Sequence, residues 1–284
     1  MRWRDLRRSS NVRDLRGRRA GLGIPLSIGR GKGGLGVILL LVIAAIIGGP
    51  ELVSQLLGGG AVGTGGQRPA APAAGDEDGA FTAAILGSTE DVWGALFADA
   101  NSAYVPPELT LFDGAVQSAC GYASSAVGPF YCPADSRVYL DTAFFDDLAR
   151  MGGPGDFAQA YVIGHEIGHH IQNLTGTAAE VRDAQARAGG GSSANPLQVA
   201  MELQADCYAG VWAHHANRRD SVLEPGDVDE GLAAAEAIGD DRLQRNAGRR
   251  VTPDSFTHGS SEQRREWLLR GLESGDPGAC DTFR

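Results

Sequence analysis

The stretch GHEIGHHIQNLTG, residues 164–176, contains three of the chain's six histidines. Within it His165, Glu166 and His169 form an H-E-x-x-H pattern, and the surrounding run DFAQAYVIGHEIGHHIQNL has apolar residues near helical spacing. Residues four apart lie on one face of a helix, so both imidazoles can bind the same ion. The pattern therefore predicts a helix that carries two ligands of a metal site. The alternative is an amphipathic helix with surface histidines.

Glu166 follows the first of these histidines and is rotated from it by about 100° around the helix. Its carboxylate is therefore expected beside the ion rather than on it. Neutral imidazole is a good zinc ligand. From that position Glu166 can take a proton from a water that zinc activates and return it to a leaving amine. We predict one zinc ion per chain, with Glu166 as general base, and we expect His170 to pack or to support a ligand.

A third ligand must come from another part of the chain, since catalytic zinc usually keeps three protein ligands and one open position. The longer pattern with a local third histidine needs glycine and histidine where this chain has Gln172 and Thr175. The best candidate is MELQADCYAGVWAHH, residues 201–215, a second predicted helix. There we predict that Glu202 binds the metal and that Asp206 accepts the outer N–H of a ligand histidine. His214 and His215 are rival ligands, and they lie about three helical turns beyond Glu202.

These motifs resemble those of a known family. GHEIGHHIQ, ELQADCYAGVW and FTHGSSEQRR together are similar to the bacterial neutral zinc metallopeptidases, which are single-span membrane proteins, and the glutamate ligand is similar to that of the gluzincin group. The resemblance covers nearly the whole chain. It implies an α+β fold, mostly α, with a zincin-like catalytic domain and a small sheet behind one N-terminal transmembrane helix.

The segment THGSSEQR, residues 257–264, is similar to the T-H-P-x-x-x-x-R segment of membrane-associated zinc peptidases related to the CAAX-processing and heat-shock enzymes, with Gly259 in place of the proline. By that analogy His258 lies near zinc and donates a hydrogen bond to the developing oxyanion. A helix-cap contact is the alternative. Arg264 is expected to hold the segment in place. The resemblance also implies an edge strand that binds extended substrate, assigned here to residues 138–141, with a plain core strand as the alternative.

The charged residues are distributed unevenly. The first 34 positions contain ten of the chain's 25 basic residues but only two of its 35 acidic residues. The rest of the chain therefore contains 15 basic and 33 acidic residues. Residues 33–50 carry no charge, which is the short end of what spans a bilayer. Basic residues stay on the cytoplasmic side. The sequence predicts a basic cytoplasmic tail over residues 1–34 and a retained transmembrane anchor over residues 35–57. A cleaved signal peptide is the alternative to the anchor. The catalytic domain is then expected outside the cytoplasm of a bacterial cell.

The remainder of the chain reads as a linker and one domain. Residues 58–79, GGGAVGTGGQRPAAPAAGDEDG, are rich in glycine, proline and alanine and predict a flexible linker. Residues 80–284 are enough for one metallopeptidase domain, whose first helix is expected to begin at Ser88. The acidic balance of this domain argues against nucleic acid as a partner.

All four cysteines lie in the predicted domain, and their even number is typical of an oxidising compartment. None forms a C-x-x-C pair, which argues against a zinc ribbon. Three pairings are possible. We favour Cys120–Cys132, which closes a short loop, together with Cys207–Cys280. Reduced, buried cysteines are the alternative.

The leading hypothesis is a membrane-anchored zinc endopeptidase that acts on peptide or protein substrates. The alternatives are a zinc-binding envelope scaffold without activity and a hydrolase of a non-peptide amide, such as a cell-wall bond. Glu166 argues against the scaffold, because a structural zinc site normally fills all four positions with ligands and has no use for a free carboxylate.

Overall fold

Eight α-helices and six short strands make up the part of the chain that the computed structural model describes, residues 1–17 and 72–283. The fold is α+β and mostly helical, as predicted. The predicted anchor, residues 35–57, lies outside the described residues, as do residues 58–71 of the predicted linker. Among the described helices, none is long and apolar enough to cross a membrane.

The elements follow one another in an irregular order, with all but one of the strands lying between the first helix and the second. The strands are β1 Val12–Asp14, β2 Glu108–Leu111, β3 Ala115–Ser118, β4 Gly121–Ser124, β5 Phe130–Cys132 and β6 Arg137–Leu140. The helices are α1 Glu77–Asp99, α2 Ala143–Met151, α3 Asp156–Leu174, α4 Thr177–Arg187, α5 Asn195–Asp220, α6 Asp227–Ala237, α7 Asp240–Asn246 and α8 Ser261–Ser274.

The first helix begins within the predicted linker and not at Ser88. Asp76 caps α1, since its carboxylate accepts a hydrogen bond from the backbone N–H of Gly79 at 3.1 Å. Ser88 lies inside the helix, is buried, and accepts a hydrogen bond from the indole N–H of Trp212 on α5. Its side chain therefore serves the packing of two helices rather than the start of one.

The main sheet has the strand order β1-β2-β6-β5, and β3 and β4 form a separate hairpin. β1, β2 and β6 run parallel, and β5 runs antiparallel to β6 at the edge of the sheet. The substrate-binding edge strand predicted at residues 138–141 is therefore wrong, because β6 is paired on both sides. The alternative of a core strand is the one observed, and Val138 and Leu140 are buried.

Residues 1–17 belong to the same folded unit as the rest of the described chain. β1 extends the main sheet by pairing with β2. Trp3 is 5% exposed and meets the ring of Phe81 on α1 edge to face, with 5.3 Å between the centroids. The structure thus differs from the expectation of a separate basic tail over residues 1–34, because the described half of that segment buries apolar side chains in the core.

Four of the six arginines in residues 1–17 are paired with acids of the domain. Nη2 of Arg7 lies 2.8 Å from a carboxylate oxygen of Glu90 and 2.6 Å from one of Asp91, both on α1. The guanidinium of Arg16 contacts the carboxylate of Asp76 at the start of the same helix. Positive charge that the sequence pattern attributes to membrane topology is therefore balanced within the folded domain.

Helix α3 crosses α5 at very short range. A Cβ atom added at Gly168 would lie 2.8 Å from both the Cα and the carbonyl oxygen of Ala205. Only glycine allows this approach. The two helices that were predicted to supply metal ligands are consequently in direct backbone contact.

Two disulfides are present, with the predicted pairing. Cys120 joins Cys132, and Cys207 joins Cys280. The first ties the β3–β4 hairpin to the end of β5. The second ties the C-terminal segment to the middle of α5, near the proposed ligand Glu202.

Replacing Trp3 by alanine tests whether the N-terminal segment is structural. Loss of a buried tryptophan is expected to lower the free energy of unfolding by about 3–5 kcal/mol, measured by urea unfolding of the full chain. Arg4→Ala is the matched control, because Arg4 is exposed and its loss is expected to cost about 1 kcal/mol or less. Equal, small effects of both changes would show that the segment is not part of the core.

Candidate metal centre

Three side chains from two helices converge on one point. Nε2 of His165 lies 3.2 Å from Oε2 of Glu202, and Nε2 of His169 lies 3.5 Å from the same oxygen. Zinc binds nitrogen and oxygen ligands at about 2.0–2.1 Å, and the ligand atoms of a tetrahedral site are then about 3.3 Å apart. Both nitrogen–oxygen separations match this value, and all three ligand atoms lie within 4.8 Å of one another, so the structure brings together the three predicted ligands.

The electrostatics of this cluster favour a cation between the three ligand atoms. Burial lowers the pKa of His165, but the carboxylates of Asp206 and Glu202 raise it more, to about 10. The pKa of His169 is also raised, because Glu202 outweighs the effect of burial. Burial raises the pKa of Glu202, but the two imidazoles hold it well below its usual range. Positive charge is therefore stabilised here, and a metal ion can supply it in place of protons.

The outer nitrogen of His165 is held by a buried ion pair. Nδ1 of His165 donates to Oδ1 of Asp206 at 2.8 Å, which leaves Nε2 as the ring nitrogen that would bind a metal ion once its own proton is lost. Asp206 also accepts from Nε and Nη2 of Arg264, at 2.9 and 2.8 Å, and from the Tyr161 hydroxyl at 2.6 Å. Arg264 keeps Asp206 ionised: burial raises the pKa of Asp206, but Arg264 and His165 lower it to about 2.

The outer nitrogen of His169 is held by a glutamine that the sequence analysis had noted only for its departure from a longer motif. Oε1 of Gln172 accepts a hydrogen bond from Nδ1 of His169 at 2.9 Å. The amide of Gln172 is fixed in turn, because its nitrogen donates to the carbonyl of Met201 at 2.7 Å and to Oε1 of Gln204 at 3.1 Å. In the sequence, only its position three residues after His169, and so on the same face of the helix, indicates that Gln172 could contact this ligand.

The carboxylate of Glu202 is oriented from the other side. Its Oε1 accepts a hydrogen bond from Nε2 of Gln198, one turn earlier on α5, at 2.9 Å. Oε1 of Gln198 accepts in turn from Nε2 of Gln185 on α4, at 3.1 Å. The bond from Gln198 to Oε1 leaves Oε2 of Glu202 facing the two histidines. Nothing in the sequence separates Gln198 from an ordinary polar residue at a helix start.

Glu166 lies in the same cleft as the three ligands and is not tied to the protein. The cleft has a volume of about 560 Å³ and is lined by Glu166, His165, His169 and Glu202. Glu166 is 7% exposed. Among residues 1–17 and 72–283, it makes no hydrogen bond or ion pair. A sheltered carboxylate without a protein partner is available to exchange a proton with a bound molecule.

His258 also lines the cleft, from the loop before α8. Its side chain is about half exposed, and its Nδ1 lies 3.3 Å from Oδ1 of Asp240, while its backbone N–H donates to Oδ2 of the same residue at 2.6 Å. The cap of α8 is Ser260, which forms a capping box with Gln263. The helix-cap role considered for His258 is thus filled by another residue, and its role as an oxyanion donor stays a prediction.

The two rival histidines lie away from the cluster. Nδ1 of His214 bonds the carbonyl of Leu272, and Nε2 of His215 bonds that of Gly275, both at 2.8 Å. They join α5 to the end of α8.

Replacing Gln198 by leucine tests the support of Glu202. Without its amide the carboxylate loses its fixed orientation, and we expect zinc affinity to fall by about 10- to 100-fold, measured by competition with a chromogenic chelator. Gln185→Leu is the matched control, because Gln185 contacts Gln198 and not the ligand. An unchanged affinity in the Gln198 variant would show that this bond does not position the ligand.

Comparison with known proteins agrees with the geometry. A family profile described as "Putative neutral zinc metallopeptidase" matches residues 1–283. The chain is 46% identical to protein YpfJ of Escherichia coli over 100% of this chain and 99% of that protein. It is 46% identical to protein Rv2575 of Mycobacterium tuberculosis over 69% of this chain and 67% of that protein. No solved structure matches it. The chain belongs to the family that this profile describes.

Proposed function

We propose that this protein is a zinc-dependent endopeptidase whose centre is formed by His165, His169 and Glu202. The observation that carries the proposal is the free, sheltered carboxylate of Glu166 beside a three-ligand cluster. When bound, zinc supplies a Lewis acid at an open coordination position. A structural zinc site would fill that position with a fourth ligand, so the scaffold alternative leaves Glu166 unexplained.

The residues of the chain have distinct tasks in the reaction. Glu166 removes a proton from the attacking water and returns it to the nitrogen of the leaving amine. His258, oriented by Asp240, donates a hydrogen bond to the oxygen of the scissile carbonyl as negative charge develops there. Asp206 holds His165 so that its lone pair stays directed at the metal.

The exposed edge of β5 supports a peptide as substrate rather than another amide. β5 is paired only with β6 among the described strands, and Phe130 and Tyr131 line the cleft that contains Glu166. An extended peptide can pair with such an edge through its main chain. A sugar-linked or cell-wall amide without consecutive peptide units would not use these backbone groups.

We propose that the domain acts outside the cytoplasm, and that residues 1–17 lie on the same side as the metal centre. The support for the first point is that all four cysteines are paired in disulfides, which persist in oxidising compartments. The support for the second is the pairing of β1 with β2. A single crossing between residues 1–17 and the domain would separate these strands. We retain attachment to a membrane as a proposal drawn from the uncharged residues 33–50.

Replacing Glu166 by glutamine tests the catalytic proposal. The amide keeps the shape of the side chain but cannot take a proton, so we expect zinc content to be unchanged and peptide cleavage to fall by about 100-fold or more. The measurement is cleavage of quenched fluorescent peptides by the zinc-loaded full chain. Glu180→Gln, on the exposed surface of α4, is the control. Equal cleavage by both variants would contradict the role of Glu166.

Cysteine labelling tests the compartment. Arg8 and Arg249, which are both exposed, would be replaced by cysteine in two separate full-length chains. Intact cells and lysed cells that contain each chain would then be treated with a membrane-impermeant maleimide. We expect both positions to be labelled in intact cells. Labelling of only one would contradict a shared compartment, and labelling of neither would contradict a location outside the cytoplasm.

A further inference from the structure

His170 follows a metal ligand directly in the sequence but is turned away from the metal. It is 1% exposed. Its Nε2 lies 2.7 Å from the carbonyl oxygen of Val105, and its Nδ1 lies 3.0 Å from the hydroxyl of Tyr131 on β5. The imidazole thus links the helix that carries the metal ligands to the strand at the edge of the cleft.

The partners of His170 determine the direction of both bonds. A carbonyl oxygen only accepts, so Nε2 carries the proton and donates to Val105. Nδ1 is then an acceptor, and the Tyr131 hydroxyl must donate to it. The same hydroxyl oxygen accepts a hydrogen bond from the side-chain amide of Asn173, at 3.1 Å, one turn further along α3. Two residues of α3 therefore hold the single polar atom of the Tyr131 side chain.

The alternation of side chains along β5 explains why Tyr131 faces the helix. Phe130 and Cys132 point to one side of the sheet, where the ring of Phe130 stacks on Tyr139 with 4.9 Å between centroids. Tyr131 points to the other side and packs against the main core. Pairing with β6 holds β5 in the main sheet, and the Cys120–Cys132 disulfide ties the end of β5 to the β3–β4 hairpin. The Tyr131 side chain relates β5 to α3, since its ring meets that of His170 at 5.4 Å between centroids and its hydroxyl bonds His170 and Asn173.

We propose that His170 is a positioning residue for substrate, and that it sets the position of the β5 edge relative to the metal centre through the hydroxyl of Tyr131. This inference rests on the proposed peptidase function, in which the substrate pairs with β5. A substrate bound to β5 is then presented to Glu166 and the ligands at a distance fixed by His170. Loss of the bond would loosen substrate binding and leave the metal ligands unchanged.

Two pairs of substitutions isolate this bond. His170→Gln keeps a nitrogen that can reach Val105 but removes the acceptor for Tyr131. His170→Asn places an oxygen where Nδ1 stood and keeps that acceptor. Tyr131→Phe removes the donor hydroxyl. Tyr104→Phe is its matched control, because the Tyr104 ring also contacts His170, at 5.9 Å between centroids, while its buried hydroxyl has no hydrogen-bond partner among the described residues.

The unsubstituted chain would first be used to select, from a mixed library, one quenched fluorescent peptide that it cleaves. Each full-length, zinc-loaded variant would then be assayed with that peptide. We expect KM to rise about five- to tenfold in His170→Gln and Tyr131→Phe, which is the effect of losing one hydrogen bond, with kcat within about twofold. His170→Asn and Tyr104→Phe are expected to keep the original KM. Zinc content is expected to be the same in all four.

Amide hydrogen exchange of β5, residues 130–132, provides a second readout that does not depend on activity. We expect faster exchange in His170→Gln than in His170→Asn, and faster exchange in Tyr131→Phe than in Tyr104→Phe. Equal exchange in all four variants, or a KM that is raised in His170→Asn as much as in His170→Gln, would overturn the inference. If the unsubstituted chain cleaves no peptide, the proposed function fails, and hydrogen exchange still decides whether His170 positions β5.

Discussion

The close crossing of α3 and α5 is the constraint on which the proposed metal centre depends. Gly168 allows the backbone of α3 to rest on Ala205, and this contact brings two histidines of one helix against two acids of the other. α8 packs against α5 with a similar contact, since a Cβ atom at Gly271 would meet the backbone of Cys207. That second contact brings Arg264 to Asp206. The positions of the ligands and of their supporting side chains thus follow from the fit of three helix backbones.

Each of the three proposed metal ligands is held by a further hydrogen bond from a different direction. His165 is held by Asp206, His169 by Gln172, and Glu202 by Gln198. These bonds limit the rotation of the ligands, so little reorganisation is needed when an ion binds. Glu166 is the exception in this environment, because no described residue fixes its carboxylate. The contrast between fixed ligands and a free carboxylate is what a proton-transfer role requires.

The sequence predicted which residues come together in this cluster because they lie at local, regular spacings. His165, His169, Glu202 and Asp206 follow helical intervals of four, which a single sequence displays directly. The supporting glutamines do not stand out, because a polar residue one turn from a ligand is common on solvated helices. The residues that fix these glutamines in turn come from other helices, and only the fold shows those contacts.

The largest departures from the sequence analysis involve contacts between distant segments. The pairing of β1 with β2 joins parts of the chain that the pattern of charges had placed on opposite sides of a membrane. Arg7 and Arg16 are bonded to acids of α1, and net charge along a sequence does not show such pairing. Likewise, the sequence analysis placed the edge strand at residues 138–141, whereas the edge is formed by β5, a three-residue strand that it had not predicted.

X-ray absorption spectroscopy of the zinc-loaded full chain tests the central claim most directly. The account predicts one zinc per chain, bound by two imidazole nitrogens and by oxygen at about 2.0–2.2 Å, with loss of an oxygen ligand and weaker binding in Glu202→Ala. Sulfur in the coordination shell, a third imidazole, or a spectrum unchanged by the loss of Glu202 would contradict it.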